Sequence, residues 1–186
     1  SKKRMYKNIV LTIIGTITAP EISWRKLVAK EDHESFLNHY LYPIFGVIAL
    51  TSFIGGLWFV PDGNLETALK NTIINIVTVY GGYYIGSYIL NETLPRFGIT
   101  KDESHVQQFV GYASALMYAL FIILPFLSDF FILWLFSIYT AYIVYMGYGV
   151  FISGYKDSQM NFTTVATASI LLTPALIKGV LTVLIK

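Results

Sequence analysis

The stretch NTIINIVTVYGGYYIGSYIL, residues 71–90, contains no charged side chain. A helix rises about 1.5 Å per residue, so a run of this length crosses the ~30 Å hydrocarbon layer of a bilayer. Four further apolar runs lie between short polar connectors, at residues 40–60, 106–127, 130–153 and 163–185. We therefore predict an all-α integral membrane protein, a bundle of five transmembrane helices.

The composition of the whole chain supports a membrane protein. Hydrophobic residues make up 55% of the 186 residues, charged residues make up 13%, and the mean hydropathy is +0.59. These values lie well away from those of an ordinary soluble domain. The chain has no cysteine, which excludes disulfides, thiolate metal sites and a cysteine nucleophile.

The segment before the first span, residues 1–39, is too short for a sizeable core of its own. Met5, Ile9 and Ile13 recur at helical spacing, which is typical of an amphipathic helix that lies in the membrane interface. We therefore predict interfacial helices over residues 1–39 and a transmembrane domain over residues 40–186.

A second helix is predicted to begin near Pro20. Thr18 and Glu21 have the spacing of a capping box, and proline is favoured in the first turn of a helix. This helix carries Trp24, which we expect at the level of the lipid headgroups, where tryptophan is enriched. Trp24 is therefore a candidate for contact with lipid or with a partner.

Basic residues fall mainly on one side of the predicted spans. Seven precede the first span, two follow the second and one follows the fourth, out of 13 in the chain. The positive-inside rule then places the N-terminus in the cytoplasm and the C-terminus outside. No basic aromatic cluster or nucleic-acid motif accompanies the basic start, so we expect contact with anionic lipid and no nucleic-acid partner.

Small and polar residues within the spans mark candidate contacts. Gly82 and Gly86 form a GxxxG pair, which packs helices within one chain or between two copies. Asn71 and Asn75 share a helix face and are candidates for interhelical hydrogen bonds or for a polar pocket. Lys178 is the charged residue inside the last span, and we expect its long stem to carry the charge towards the headgroups.

Prolines and one carboxylate predict where helices bend or begin. Pro43, Pro125 and Pro174 each remove a backbone donor, so a kink or a helix end is expected at each. Asp129 lies in the short connection before the fourth span, where it is predicted to cap the following helix.

The three histidines map to the predicted cytoplasmic side together with several carboxylates. His33, His39, His105 and Glu31 are therefore the candidate metal ligands of the chain. The interval from His33 to His39 is not a recognised ligand spacing, and nothing in the sequence brings His105 near them. We expect these residues to be solvated or interfacial, and we predict no cofactor.

Two short motifs resemble a known family. APEISW at residues 19–24 and QFVGYAS at residues 108–114, with five spans, resemble the Ypt/Rab-interacting (YIP) family of five-span membrane proteins, in particular its short prokaryotic branch. The resemblance implies a cytoplasmic N-terminus, a C-terminus on the opposite side, and Gly111 and Tyr112 as candidate contact residues. The short lead contains no Asp-Leu-Tyr-Gly-Pro motif, so binding of Rab-type GTPases is not expected.

The sequence shows none of the common enzyme signatures. It has no phosphate-binding glycine loop, no G-x-S-x-G elbow, no H-E-x-x-H motif and no paired carboxylates within a span. We predict a non-enzymatic protein of a prokaryotic plasma membrane that organises lipids, membrane-protein partners or copies of itself. The alternative is a small transporter or channel with a polar site in the bundle.

Overall fold

The computed structural model describes residues 1–127 and 131–185, and within them the regular structure is entirely helical. Asp129 and its predicted capping role lie outside the described residues. The helices are α1 (Lys2–Thr18), α2 (Pro20–Ala29), α3 (His33–Phe59), α4 (Leu65–Phe97), α5 (Glu103–Ala113), α6 (Ala115–Phe126), α7 (Leu133–Ile152) and α8 (Lys156–Ile185).

Four of the described helices are long and apolar enough to cross a membrane, namely α3, α4, α7 and α8. The pair α5 and α6 passes the same test together but is bent by 49°, so the number of spans is five if this pair crosses the membrane as one unit. The prediction of an all-α membrane protein is confirmed. The predicted first span at residues 40–60 is in fact part of a helix that already begins at His33.

The bend between α5 and α6 has a local cause at Ser114. The Ser114 hydroxyl donates a hydrogen bond of 2.7 Å to the carbonyl oxygen of Val110, four residues earlier. Serine hydroxyls that bond back to the preceding turn often bend helices. The backbone angles of Ser114, φ −83° and ψ 7°, depart from helical values and separate the two segments.

The three prolines in the spans have different effects on their helices. Pro125 lies in the last turn of α6, as a helix end requires. Pro43 follows a π turn at Leu37–Leu41, and α3 continues through it. Pro174 lies inside α8, which is continuous there, so the expected helix end is not found at this position.

Helices α4 and α8 pack closely because glycines remove side-chain bulk between them. A Cβ atom built on Gly82 would lie 2.7 Å from Cβ of Pro174, and one built on Gly86 would lie 3.0 Å from the carbonyl oxygen of Ser169. Real Cβ atoms essentially never show the first distance, and the second is tighter than most real Cβ contacts. The GxxxG pair therefore packs α4 against α8 within one chain.

Helix α2 is packed into the bundle rather than lying over it. Trp24 is completely buried, and its indole Nε1 donates a hydrogen bond of 2.9 Å to the carbonyl oxygen of Ile143 in α7. Its ring stacks on Phe109 of α5 with centroids 4.8 Å apart. The indole fills space that Gly147 leaves on α7, so Trp24 packs inside the chain, and its level relative to the headgroups stays a prediction.

The junction between α1 and α2 reaches the middle of α7. The hydroxyl of Tyr139 donates a hydrogen bond of 2.7 Å to the carbonyl oxygen of Ile17. Tyr139 lies about 20 Å along the helix from Ile152, at 1.5 Å per residue. The predicted capping box is absent, since Ala19 is the N-cap of α2 and makes no side-chain cap bond. Helix α1 buries Ile9 against the bundle.

Candidate functional site

His105 joins three segments at one end of the bundle, which we call the histidine end because His33 and His39 also lie there. Its Nδ1 is 2.5 Å from a carboxylate oxygen of Glu31, and its Nε2 is 2.6 Å from the carbonyl oxygen of Phe151. The imidazole also stacks on the Phe151 ring, with centroids 4.4 Å apart. Both partners are acceptors, and an imidazole nitrogen donates to its partner when it carries a hydrogen. These contacts tie the connector after α2 to α5 and α7.

Two glutamines of α5 hold the same connector. The Gln107 side chain contacts Nε2 of His33 at 2.7 Å, and Gln108 accepts a hydrogen bond of 3.2 Å from the backbone N–H of Asp32. Both glutamines are buried, with 7% and 2% of their surface exposed. Gln108 opens the QFVGYAS motif, whereas Gln107 was not predicted as a contact residue; two adjacent amides at the start of an apolar run are the signal that would have found both.

The candidate metal ligands do not converge on one point. Glu31 and His105 are paired, whereas His33 contacts Gln107 and His39 lies 3.5 Å from the hydroxyl of Ser35. Within residues 1–127 and 131–185, no three His, Asp or Glu side chains are placed to hold a metal ion. Glu31, His33 and His105 instead connect α5 to the connector after α2 and to the beginning of α3.

Gly111 and Tyr112 belong to an aromatic cluster inside the chain. The ring of Phe36 occupies the space beside Gly111 that a Cβ atom would fill. The Tyr112 ring lies 4.9 Å from that of Phe36 and 4.7 Å from that of Tyr40. These two motif residues therefore pack α5 against the beginning of α3.

A polar cavity of about 440 Å³ lies in the half of the bundle away from the histidine end. Asn71 and Asn75 both line it, so the structure brings together the two asparagines of the α4 face. The Asn75 amide donates a hydrogen bond of 2.8 Å to the hydroxyl of Ser52 in α3. The cavity walls come from five helices and are lined by Ser52, Gly55, Gly56, Val60, Lys70, Asn71, Ile74, Asn75, Phe121, Leu124, Pro125, Trp134, Lys178, Thr182 and Ile185.

Lys178 lines this cavity and is held by aromatic rings. Its Nζ lies 5.1 Å from the ring centre of Phe121 and 5.6 Å from that of Trp134. Both distances are within the range of cation–π attraction. The expected extension of Lys178 into the headgroups is therefore replaced by a position between α6, α7 and the cavity.

Helices α1 and α2 expose a basic and apolar surface. Within the described part of the chain, six of its exposed basic residues make no ion pair, whereas Arg25 pairs with Glu21 at 2.6 Å. The six are Lys2, Lys3, Arg4, Lys7, Lys26 and Lys30. Large apolar side chains are exposed on the same two helices, namely Tyr6, Val10, Leu11, Ile14 and Ile22. This combination is typical of helices that contact anionic lipid.

Comparison with known proteins gives one match. The model of a family described as the Yip1 domain matches residues 14–185, which is nearly the whole chain and includes both motifs noted in the sequence. No curated protein and no solved structure matches the chain. That the chain belongs to a short prokaryotic branch stays a prediction. The match covers well over half of the chain, which is enough to assign the family. The chain therefore belongs to the Yip1 domain family.

Proposed function

We propose that this chain is a non-enzymatic membrane protein that gathers anionic lipids in one leaflet through α1 and α2. The observation that carries the proposal is the surface on these helices, where six basic residues without ion pairs among the described residues lie beside exposed apolar side chains. Basic groups attract the phosphate of anionic lipids, and the apolar side chains enter the boundary between headgroups and acyl chains. Each basic residue near an anionic membrane surface contributes about 1 kcal/mol.

The attachment of α2 to the bundle supports this role. Trp24 fixes α2 to α7, and the contacts of Glu31 with His105 and of His33 with Gln107 fix the connector that follows. A basic surface held at a fixed position keeps the lipids it attracts beside the spans. In a freely moving tail, the same charges would be spread over a larger area of membrane.

The orientation proposed for the chain matches this lipid chemistry. The excess of basic residues supports a cytoplasmic position for the histidine end, because the positive-inside rule associates Lys and Arg with the cytoplasmic side. The cytoplasmic leaflet is also the leaflet whose anionic lipids give it a negative surface potential. In a prokaryotic cell this membrane is the plasma membrane.

The experiment is a count of lipids retained by the protein from mixed bilayers. Purified protein is reconstituted with equal amounts of phosphatidylglycerol and phosphatidylcholine, and the lipids that stay bound after extraction are measured by native mass spectrometry. Three basic residues supply at most about 3 kcal/mol. We expect the triple variant K2Q/K3Q/R4Q to lower the ratio of anionic to zwitterionic lipid about fivefold, which corresponds to about 1 kcal/mol.

The matched control neutralises three basic residues of the same end outside α1 and α2, as R96Q/K101Q/K156Q. Lys101 already pairs with Glu92 at 2.7 Å, so its charge is partly compensated. We expect this control to keep most of the wild-type lipid ratio. Equal losses in the two triple variants would show that net charge alone attracts the lipid, and the proposal would then be wrong.

The polar cavity favours solute transport as a second candidate function. Asn71 and Asn75 line the cavity, and a transport site near the middle of a bundle commonly contains such groups. All of the lining residues, however, come from the half of the bundle away from the histidine end, and transport also requires access from the other side. Flux of solutes into liposomes that disappears in N71A/N75A would establish transport, and absence of flux over a broad solute panel would exclude it.

A further inference from the structure

We propose that the cavity beside Lys178 binds a phosphate group, either in the headgroup of a lipid or as the free ion. This site lies in the opposite half of the bundle from the basic surface of α1 and α2, and it does not depend on the function proposed for that surface. The cavity volume of about 440 Å³ falls in the range of small-molecule sites, which is roughly 300–1,000 Å³.

Lys178 supplies the main reason to expect an anion. An ammonium group within a membrane span is costly, and such groups commonly pair with an opposite charge or mark a ligand site. No carboxylate lines the cavity among the described residues. The rings of Phe121 and Trp134 attract the ammonium but carry no net negative charge. An anion in the cavity would complete the neutralisation of this cation.

A second cation stands at the cavity wall. Lys70 of α4 lines the same space and pairs with the exposed Glu66 one turn earlier, at 2.8 Å. The Lys70 side chain is 40% exposed, so this ion pair is screened by solvent and contributes little. Lys70 is therefore free to exchange its contact with Glu66 for an anion that enters the cavity.

Neutral hydrogen-bond donors complete the site. The Asn71 amide lines the cavity, and its side chain makes no hydrogen bond to any other described residue. One of the two N–H groups of the Asn75 amide is used by Ser52, which leaves the other for a ligand. Lys70, Asn71 and Asn75 lie on α4, Lys178 lies on α8, and all four line the same cavity.

The type of cation is compatible with phosphate. Lysine binds phosphate as a point charge, whereas arginine is favoured where a carboxylate or a phosphate is held through two parallel hydrogen bonds. The cavity offers two lysines and no arginine. Lys178 also lies about 10 Å along α8 from Ile185, at 1.5 Å per residue, so the cavity is near the end of the helix from which a lipid phosphate would enter.

The test measures binding to the full chain purified in an uncharged detergent. Three probes are compared by thermal unfolding and titration: inorganic phosphate, dioctanoyl phosphatidic acid, and dioctanoyl glycerol, which has the same acyl chains without phosphate. A ligand that binds only the folded protein raises its melting temperature. We expect phosphatidic acid, inorganic phosphate or both to bind, and dioctanoyl glycerol to bind far more weakly.

The variant K178M keeps an unbranched apolar side chain and removes the charge. Hydrogen bonds to charged groups are strong enough that we expect the dissociation constant for the phosphate probe to rise roughly 10- to 100-fold. The control K156M removes an exposed lysine at the other end of the bundle and should leave the constant unchanged. If K178M does not fold, N71A replaces it, because Asn71 makes no side-chain hydrogen bond to the described residues and its loss should weaken binding about fivefold.

The outcomes separate the two sources of phosphate. Binding of phosphatidic acid without inorganic phosphate assigns the site to a lipid headgroup, and comparable binding of inorganic phosphate assigns it to the free ion. Equal binding of dioctanoyl glycerol and phosphatidic acid would overturn the proposal, because the acyl chains alone would then account for the affinity. An unchanged dissociation constant in folded K178M would overturn it as well.

Discussion

Replacement of Trp24 by alanine should destabilise the bundle more than any other change to a tryptophan in this chain. Trp24 is completely buried, stacks on Phe109 and donates a hydrogen bond to the Ile143 carbonyl. Removal of a buried aromatic side chain costs about 3–5 kcal/mol. We take the lower part of this range, about 3 kcal/mol, because the surrounding side chains can move into part of the space beside α7.

A second substitution at the same position separates the contribution of the hydrogen bond from that of the ring. Trp24→Phe keeps a ring against Phe109 and removes the Nε1 donor, so we expect a loss of about 1 kcal/mol, the usual net contribution of a hydrogen bond. The measurement is unfolding in mixed micelles with increasing dodecyl sulfate, followed by far-ultraviolet circular dichroism. Proteolysis of the folded state should show faster cleavage between α1 and α3 in Trp24→Ala, because α2 loses its main attachment.

The matched control is Trp58→Ala. Trp58 is 71% exposed near the end of α3, and exposed substitutions usually change stability by less than about 0.5 kcal/mol. If Trp24→Ala and Trp58→Ala lower the free energy of unfolding equally, α2 does not occupy the position described for it. The same conclusion would follow if cleavage between α1 and α3 were no faster in Trp24→Ala than in wild type.

Three further predictions concern the packing of the helices. Gly82→Ala should lower the free energy of unfolding by about 1–3 kcal/mol, because the added methyl group meets α8. Its control is Gly149→Ala, where the added methyl group meets no atom beyond the backbone of its own helix within 4 Å. This control should change the free energy of unfolding by less than about 1 kcal/mol. His105→Ala should cost about 1–3 kcal/mol and speed proteolysis after α2, and unchanged cleavage would contradict its proposed connecting role. A double-mutant cycle between Asn75 and Ser52 should give a coupling energy of about 0.6 kcal/mol, and zero coupling would show that their hydrogen bond does not contribute.

The spans could be predicted from the sequence because their signal is local. A run of about 20 apolar residues identifies a span without reference to the rest of the chain. The first span is predicted to begin at residue 40, whereas the helix that contains it begins at His33; residues 33–39 are partly polar and add no continuous apolar signal. Asp32 caps the helix there by accepting a hydrogen bond of 3.2 Å from the backbone N–H of Ser35, so the helix begins at His33.

The candidate sites were less predictable because their residues are distant in sequence. Glu31 and His105 are 74 positions apart, and no spacing rule connects a residue between two N-terminal helices with one at the start of α5. Asn71 and Asn75 could be identified because they share a face of one helix. The position of Lys178 depends on Phe121 and Trp134 from two other helices, which the periodicity of α8 alone does not reveal.

The burial of Trp24 against α7 has a consequence for the order of events during biosynthesis. The indole binds a carbonyl group 119 positions further along the chain, so α2 has no docking place when it leaves the ribosome. At about 5–20 residues per second, synthesis of the intervening chain takes roughly 6–24 seconds. During that interval the basic and apolar surface of α1 and α2 can hold both helices at the membrane interface. The amphipathic pattern of the N-terminal segment would thus act first during synthesis, when it holds α1 and α2 at the interface, and again in the folded bundle, where it contacts lipid.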